Sequence, residues 1–466
     1  MIVGGPEAPA QAARRGTAAR AHVPRSSHAR LELDDTRRDP LRIIEAQAAD
    51  RLPELVPLRH GRMAASPWAF FRGAAAVMAA DLAHTPATGL RVQLCGDAHA
   101  GNFGGFAGPD RRMIFDLNDF DETLPGAWEW DLKRLVASVA VGGRERGLDR
   151  NRRTEAIGGA VREYQGAMRD FARMRTLDVW YAKLDVEQDV DRWAPELSKA
   201  RRAKLDREIG KAEAKDNVRA FAKLAESVDG SPRIAAAPPL IVPLRDLLPN
   251  GERAEAEDRL LKLLAAYRDT LAPDREHLLD GYRPVDFARK VVGVGSVGTR
   301  DWIALLMGQG DDDPLFLQIK ESTRSALEPF AGRSDFANEG RRVVEGQRLM
   351  QSASDILLGW LRDATTPGER PRDYYVRQLW NAKGTPPIDS MPARGLVDFA
   401  RVCGWTLARA HARSGDRSAI AGYLGRGDHL ERALVRFAEA YADRNERDHA
   451  ALVAAVRSGR IAADPA

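Results

Sequence analysis

Two short acidic stretches hold the residues best suited to chemistry. The first is Gly96-Asp97-Ala98-His99-Ala100-Gly101-Asn102. Phosphoryl transfer needs a carboxylate to orient or deprotonate the attacking hydroxyl, and an oxygen ligand for Mg²⁺ close by. Asp97 and Asn102, five apart on a loop expected after a strand, supply both. The second stretch is Asp116-Leu117-Asn118-Asp119-Phe120-Asp121-Glu122. Four carboxylates in seven residues repel one another unless positive charge sits among them. Bracketed by Phe115, Leu117 and Phe120, they suggest a partly buried site for a hard cation with oxygen ligands.

Far along the chain, Val292-Gly293-Val294-Gly295-Ser296-Val297-Gly298-Thr299 is a Gly-x-Gly-x-x-Gly loop. Such loops also serve dinucleotides or plain tight turns. A dinucleotide loop opens into a helix, whereas residues 300–306 read as a strand returning from the loop, and 315–320 as a strand ending in Lys320. A Gly-rich hairpin followed by a strand lysine is the nucleotide-clamping half of a kinase. The backbone of Gly293, Gly295, Ser296 and Gly298 would cover phosphates, and Lys320 would pair with them. A helix over 334–352 offers Glu339 and Glu345 to hold that lysine, and the choice between them stays open.

The segment 95–132 resembles the catalytic segment of aminoglycoside phosphotransferases, choline kinases and related small-molecule kinases. Asp97, His99 and Asn102 match the first motif of that pattern, Asp119-Phe120 the second, and Trp130-Asp131-Leu132 the third. The resemblance implies ATP and Mg²⁺ as cofactors. It makes Asp97 the base, has His99 order the loop, makes Asn102 and Asp119 metal ligands, and has Asp131 brace the loop. Two departures stand out. Cys95 replaces the usual His before Gly-Asp, and the hairpin before Asp119 is longer than usual, which leaves Asp116 and Asp121 open as ligands. Near the start of a helix, Arg72 is placed to reach the catalytic loop. The whole motif set is also similar to an uncharacterised bacterial family, domain of unknown function 2252. That similarity is carried by residues 66–73, the Gly-Asp-Ala-His segment, 342–348 and 374–378.

The elements that must position these residues follow from local signals. Asp39-Pro40 and Ser66-Pro67 each read as an N-cap followed by Pro at the first helical position. Alternation over 91–95 suggests a strand leading into Gly96, and residues 112–115 a second strand after the turn at Gly108-Pro109. From Trp130 to Tyr282 the chain reads mostly as helices, with a charge-dense stretch over 199–223 taken as a solvated face. Short strands follow, among them 374–379 as the strand where backbone would meet adenine, then helices to the end. The order is anomalous for a kinase, because the Gly-rich loop and lysine follow the catalytic Asp. The expected fold is therefore a two-lobed, protein kinase-like α+β fold, circularly permuted. Residues 1–35 would be a disordered tail and 36–284 a large helical lobe with the catalytic and metal-binding loops. Residues 285–390 would be a small β-rich nucleotide lobe, and 391–466 helices returning to the large lobe.

Bulk properties bound the alternatives. A length of 466 residues with 44% hydrophobic content suffices for two lobes. A net charge of +4 from 71 basic and 67 acidic residues is too even to argue for nucleic acid. Only Cys95 and Cys403 are present, so no disulfide framework or cysteine-based zinc site is expected, and a reducing cytoplasm is the simple inference. No apolar run suits a membrane span. The expected partners are a nucleotide and an unidentified hydroxyl acceptor, with a small molecule favoured over protein. Competing expectations are a metal-dependent phosphoesterase, a nucleotide-binding pseudokinase scaffold and an AMP-transferring enzyme. The first needs several further His ligands, and the chain has nine His in all.

Overall fold

The computed structural model describes residues 7–31, 37–189, 207, 210, 217–228, 230–291, 295, 297–310, 312–364, 370–379, 381, 384–386, 388 and 391–464. The charge-dense stretch from 199 up to residue 216 falls almost wholly outside these residues, as do Gly293 and Ser296 of the Gly-rich loop.

A helix that is apolar on one stripe sits at a surface, and one buried all round sits at a centre. Trp128–Glu145 is of the second kind, with every residue from Trp128 to Gly143 buried. Around it lie Arg150–Arg173, Ala393–Ser414 and His429–Arg457. Leu132, Leu135 and Val139 share one core with Val161, Tyr164, Leu407 and Phe437. The last two helices of the chain thus close the body that the first half begins. Trp128 stacks on Tyr164 with ring centroids 5.7 Å apart, so this tryptophan is packing and lines no cleft.

The expectation of a disordered tail is corrected for the described part of residues 1–35. Pro9–His22 is a helix seated on Arg417–Leu424. Its composition, poor in large apolar residues, reads as disorder. The same small residues let two helix backbones meet: a Cβ on Gly16 would lie 1.8 Å from the Ala419 carbonyl oxygen, and one on Gly422 would lie 2.2 Å from that of Ala13. Arg20 Nε then donates to the Tyr423 carbonyl at 2.8 Å.

The second body is a six-stranded antiparallel sheet. The strands preceding it are β1 (Arg91–Leu94), β2 (Phe103–Ala107), β3 (Met113–Leu117), β4 (Leu124–Ala127), β5 (Ala225–Val228) and β6 (Ser231–Ile234). The sheet itself is β7 (Ile241–Pro243), β8 (Arg283–Lys290), β9 (Trp302–Met307), β10 (Pro314–Ser322), β11 (Gly359–Asp363) and β12 (Arg372–Gln378), in the order β11-β12-β10-β9-β8-β7. Strand β10 is buried along its whole length because both faces are covered. Leu315, Leu317 and Ile319 face Leu260, Leu264 and Tyr267 of the helix Asn250–Arg268. Phe316, on the other face, packs with Ala220 and Leu224 of Asn217–Leu224. The expected boundary at residue 285 is corrected accordingly. Residues 217–284, read as part of the helical lobe, pack on the sheet, because their apolar faces match the two faces of β10. The protein is thus of mixed α+β class.

The two bodies meet through the helix Glu339–Met350, which lies against β11 and β12 while Val343, Val344 and Met350 join the helical core. They also meet where the chain leaves β12. Gly384 bridges Gly105, and Asn381 Nδ2 donates to the Ala107 carbonyl at 2.9 Å. Among the described residues no helix is long and apolar enough to cross a membrane.

Candidate functional site

Strand β1, paired with β4 from Arg91↔Ala127 to Leu94↔Leu124, delivers the chain to Cys95 and Gly96. Gly96 has φ +85°, and a Cβ there would meet the Glu122 carbonyl oxygen at 2.3 Å. Only glycine fits both the dihedral and the space. Asp131, in the first turn of Trp128–Glu145, accepts from the Cys95 N–H at 2.7 Å and the Gly96 N–H at 3.0 Å. His411 Nε2 lies 3.3 Å from the same carboxylate, with Tyr164 OH 2.8 Å from its Nδ1. Asp131 is buried and spends its oxygens on backbone and His411, so it positions the loop and presents nothing to a ligand.

Asp97 then points into a cleft between the two bodies. Its carboxylate pairs with Arg134 at 2.7 Å, and its carbonyl accepts from Asn102 Nδ2 at 2.7 Å. Burial pushes its pKa up, against the pull of Arg134. His99 is buried beside it, Nε2 3.8 Å from the Asp97 carboxylate and ring-edge to Trp68. Burial pushes the imidazole well down, with Arg134 and Arg72 adding to the effect, which favours the neutral ring. The Asn102 amide, turned by its bond to Asp97, leaves its Oδ1 free to accept.

The hairpin β2–β3, in register Phe103↔Leu117, closes with the Asn118 N–H donating to the Asn102 carbonyl at 2.9 Å. That bond sets Asn102 and Asp119 side by side in the cleft wall. Asp116 goes elsewhere, which corrects its candidacy as a metal ligand. It is 0% exposed, ion-paired with the buried Arg409, and accepts from the Ser352 N–H at 2.9 Å and the Ser352 hydroxyl at 3.0 Å. Both faces of β3 are covered, so an acid at this position points into the body and needs a buried partner.

Lys320 comes from the sheet, 199 residues after Asp121, and forms an ion pair with it; Lys320 Nζ is 3.9 Å from Asp119. Burial pushes the ammonium down, but Asp119 and Asp121 outweigh it and hold Lys320 well above its usual range. Within the acidic pair burial raises both groups. Asp119 ends above its ordinary value, with Asp121 adding to the rise, and Asp121 ends below, held by Lys320. Glu122 is pushed up to about 7 by burial.

The expectation that Glu339 or Glu345 holds Lys320 is corrected. Glu339 pairs with Arg342 at 2.6 Å, and Glu345 lies 3.8 Å from Arg341 and 3.9 Å from Arg348. The helix turns Arg342 inward instead, where it donates to the carbonyls of Thr123, Asp121 and Thr323 at 2.7, 2.9 and 2.8 Å. Arg342 thereby fixes the backbone of Asp121, whose carboxylate takes the place expected of a helix glutamate. Of the Gly-rich loop, Gly295 lines the cleft, and Gly298, with φ +90°, receives the Leu52 N–H on its carbonyl at 2.8 Å.

A family profile described as "Uncharacterized protein conserved in bacteria (DUF2252)" matches residues 51–455. The chain belongs to this family. No curated protein and no solved structure matches it. The DUF2252 match opens at Arg51 and so takes in both halves of the cleft together with its third wall.

Two members of that third wall, Arg51 and Arg59, are what sequence reasoning missed. Arg51, Arg59 and Arg72 line the cleft together with the carboxylates, and Arg72 acts on Asp97. Arg72, expected to support the loop, makes no hydrogen bond or ion pair among the described residues, and its Nε is buried without a partner. Arg134 was also unmarked, although its place three residues after Asp131 puts it on the same helix face. Arg51 and Arg59 carry no local signal. As for a cation, among the described residues no three His, Cys, Asp or Glu side chains converge to hold one. Mg²⁺ keeps several waters and takes one or two protein carboxylates alongside substrate phosphates. Asn102 Oδ1 with Asp119, which is 36% exposed, fits that smaller demand.

Proposed function

We propose that this DUF2252 chain is an ATP- and Mg²⁺-dependent phosphotransferase with a hydroxyl acceptor, built as a circularly permuted two-lobed kinase-like fold. One observation carries the reading: the sheet lysine Lys320 lies against Asp121 and Asp119 from the helical body. Two clusters that sequence alone could link only by permutation thus share one cleft with Asp97.

Each residue then has a role its surroundings support. Asp97, raised by burial and oriented by Arg134, accepts the hydroxyl proton. Lys320 pairs with a phosphate oxygen, and Asp121 keeps it in place. Asn102 and Asp119 would hold Mg²⁺, whose chemistry there is to neutralise charge building on the transferred phosphoryl group. Neutral His99 and the Asp131–His411–Tyr164 chain keep the loop from moving.

The phosphoesterase reading needs converging His and carboxylate ligands for a dinuclear metal, and no three such side chains converge among the described residues. Incubating the protein and candidate hydroxyl compounds with γ-labelled ATP, followed by mass spectrometry, tests transfer. A gain of phosphate on the acceptor is expected. A gain of AMP instead, or nucleotide binding with no transfer, would point to the two other readings.

A further inference from the structure

Charge pairing across the cleft is one-sided. The carboxylates facing it find cations or donors elsewhere: Asp97 has Arg134, Asp119 and Asp121 have Lys320, and Glu321 has Arg372 at 2.7 Å and Arg300 at 3.6 Å. Glu122 Oε2 accepts from the Ala326 N–H at 2.6 Å. The same cleft is lined by Arg51, Arg59 and Arg72, and none of the three has an ion-pair partner among the described residues. Arg59 is 1% exposed. One Nη reaches the Gly73 carbonyl at 3.1 Å and Gln47 at 3.4 Å, while Nε and the other Nη have no hydrogen bond. Arg51 donates to the Val297 carbonyl, and its Nε, like that of Arg72, is buried and unbonded. A guanidinium stays protonated in proteins, and a buried cation without a counter-charge is strongly unfavourable. Arg59 is buried and Arg51 and Arg72 are half-buried; nearby carboxylates, Glu122 first among them, act on Arg51 and Arg59 without forming an ion pair, so an anionic ligand would complete the site.

We propose that Arg51, Arg59 and Arg72 form a binding site for a phosphate-class oxyanion beside Asp97. Guanidinium forks donate in pairs to the non-bridging oxygens of phosphate, and three forks suit a multivalent anion better than a single carboxylate. The site stands on these residues alone; only its use rests on the phosphotransferase reading. Under that reading the anion is either the terminal phosphate of the nucleotide or a phosphate already on the acceptor. The second would make the acceptor class a phosphorylated hydroxyl compound.

Calorimetric titration of the full chain with inorganic pyrophosphate, and separately with inorganic phosphate, tests the site. Binding is expected, and Arg72→Gln should weaken it at least tenfold. Arg59→Met should weaken it as much; should that buried substitution prevent folding, Arg72→Gln, at a half-buried residue with no partner to lose, still decides. Lys320→Met should leave pyrophosphate binding in place while ATP binding falls, so failure of the anion site and failure of the nucleotide site read differently. Loss of ATP affinity in Arg72→Gln with ADP unchanged puts the anion on the nucleotide. Phosphate binding to protein saturated with a non-hydrolysable ATP analogue puts it on the acceptor. Pyrophosphate that fails to bind, or that binds wild type and Arg72→Gln alike, overturns the proposal.

Discussion

Asp116 separates structural from ligand-binding acids in a sharp way, because it sits three residues from Asp119 yet faces the opposite direction. Asp116→Ala would leave Arg409 buried, 1% exposed, without its counter-charge. Removing one partner of a buried ion pair costs about 3–5 kcal/mol. The Ser352 N–H and hydroxyl lose their acceptor as well, at about 1 kcal/mol each, so about 5–7 kcal/mol is expected. With unfolding entropy near 2.1 cal/mol/K per residue, a chain of this length has about 1 kcal/mol/K in total, and Tm should drop by about 5–7 °C. Scanning calorimetry reads that drop, and the same samples titrated with ATP and Mg²⁺ read affinity. The reasoning requires a large fall in Tm with ATP affinity nearly unchanged in whatever remains folded. A Tm change under about 1 °C with lost ATP affinity would refute it and return Asp116 to the list of ligands.

Two further outcomes follow from single observations. Asp301, 1% exposed, is pushed up to about 7 by burial, so from about pH 4 to 7 the folded state keeps a proton that the unfolded chain has released. Stability from this group is complete below that window and is lost as pH rises through it, by up to about 4 kcal/mol. Asp301→Asn should flatten the Tm-versus-pH curve over that range, and coincident curves would contradict the assignment. Gly96→Ala forces a side chain into a positive φ and onto the Glu122 carbonyl, costing at least about 2 kcal/mol. It should lower Tm and suppress transfer together; wild-type Tm and turnover would show that the loop is not built as described.

Much of the cleft was legible because its residues lie close in sequence and obey local rules. Gly96, Asp97, Asn102, Asp119 and Asp131 span one loop, one hairpin and one helix start, and Lys320 was marked by a strand ending after a Gly-rich turn. What failed to read out was long-range pairing. The helix Glu339–Met350 carries Glu339 and Arg342 one turn apart, and an apolar-periodicity rule turns the glutamate inward as easily as the arginine. The burial of Arg342 is decided by carbonyls of Asp121 and Thr123 more than two hundred residues away. Arg51 and Arg59 escaped for the same reason, since charged residues in a Pro-interrupted stretch read as surface. The N-terminal helix was missed because close backbone packing through Gly16 and Gly422 buries area without large side chains. The strands β6 and β7 lie in a Pro-rich stretch and form only through pairing, β6 with β5 and β7 with β8.

The central claim is that Lys320 and Asp119 belong to one nucleotide site. Thermal denaturation with and without ATP and Mg²⁺, run on wild type and Lys320→Met, tests it most directly. At a ligand concentration of about 100 Kd the wild type should gain about 2.7 kcal/mol, a rise in Tm of about 3 °C, and Lys320→Met should gain almost none. No rise in the wild type at millimolar ATP, or an equal rise in both proteins, would contradict the claim.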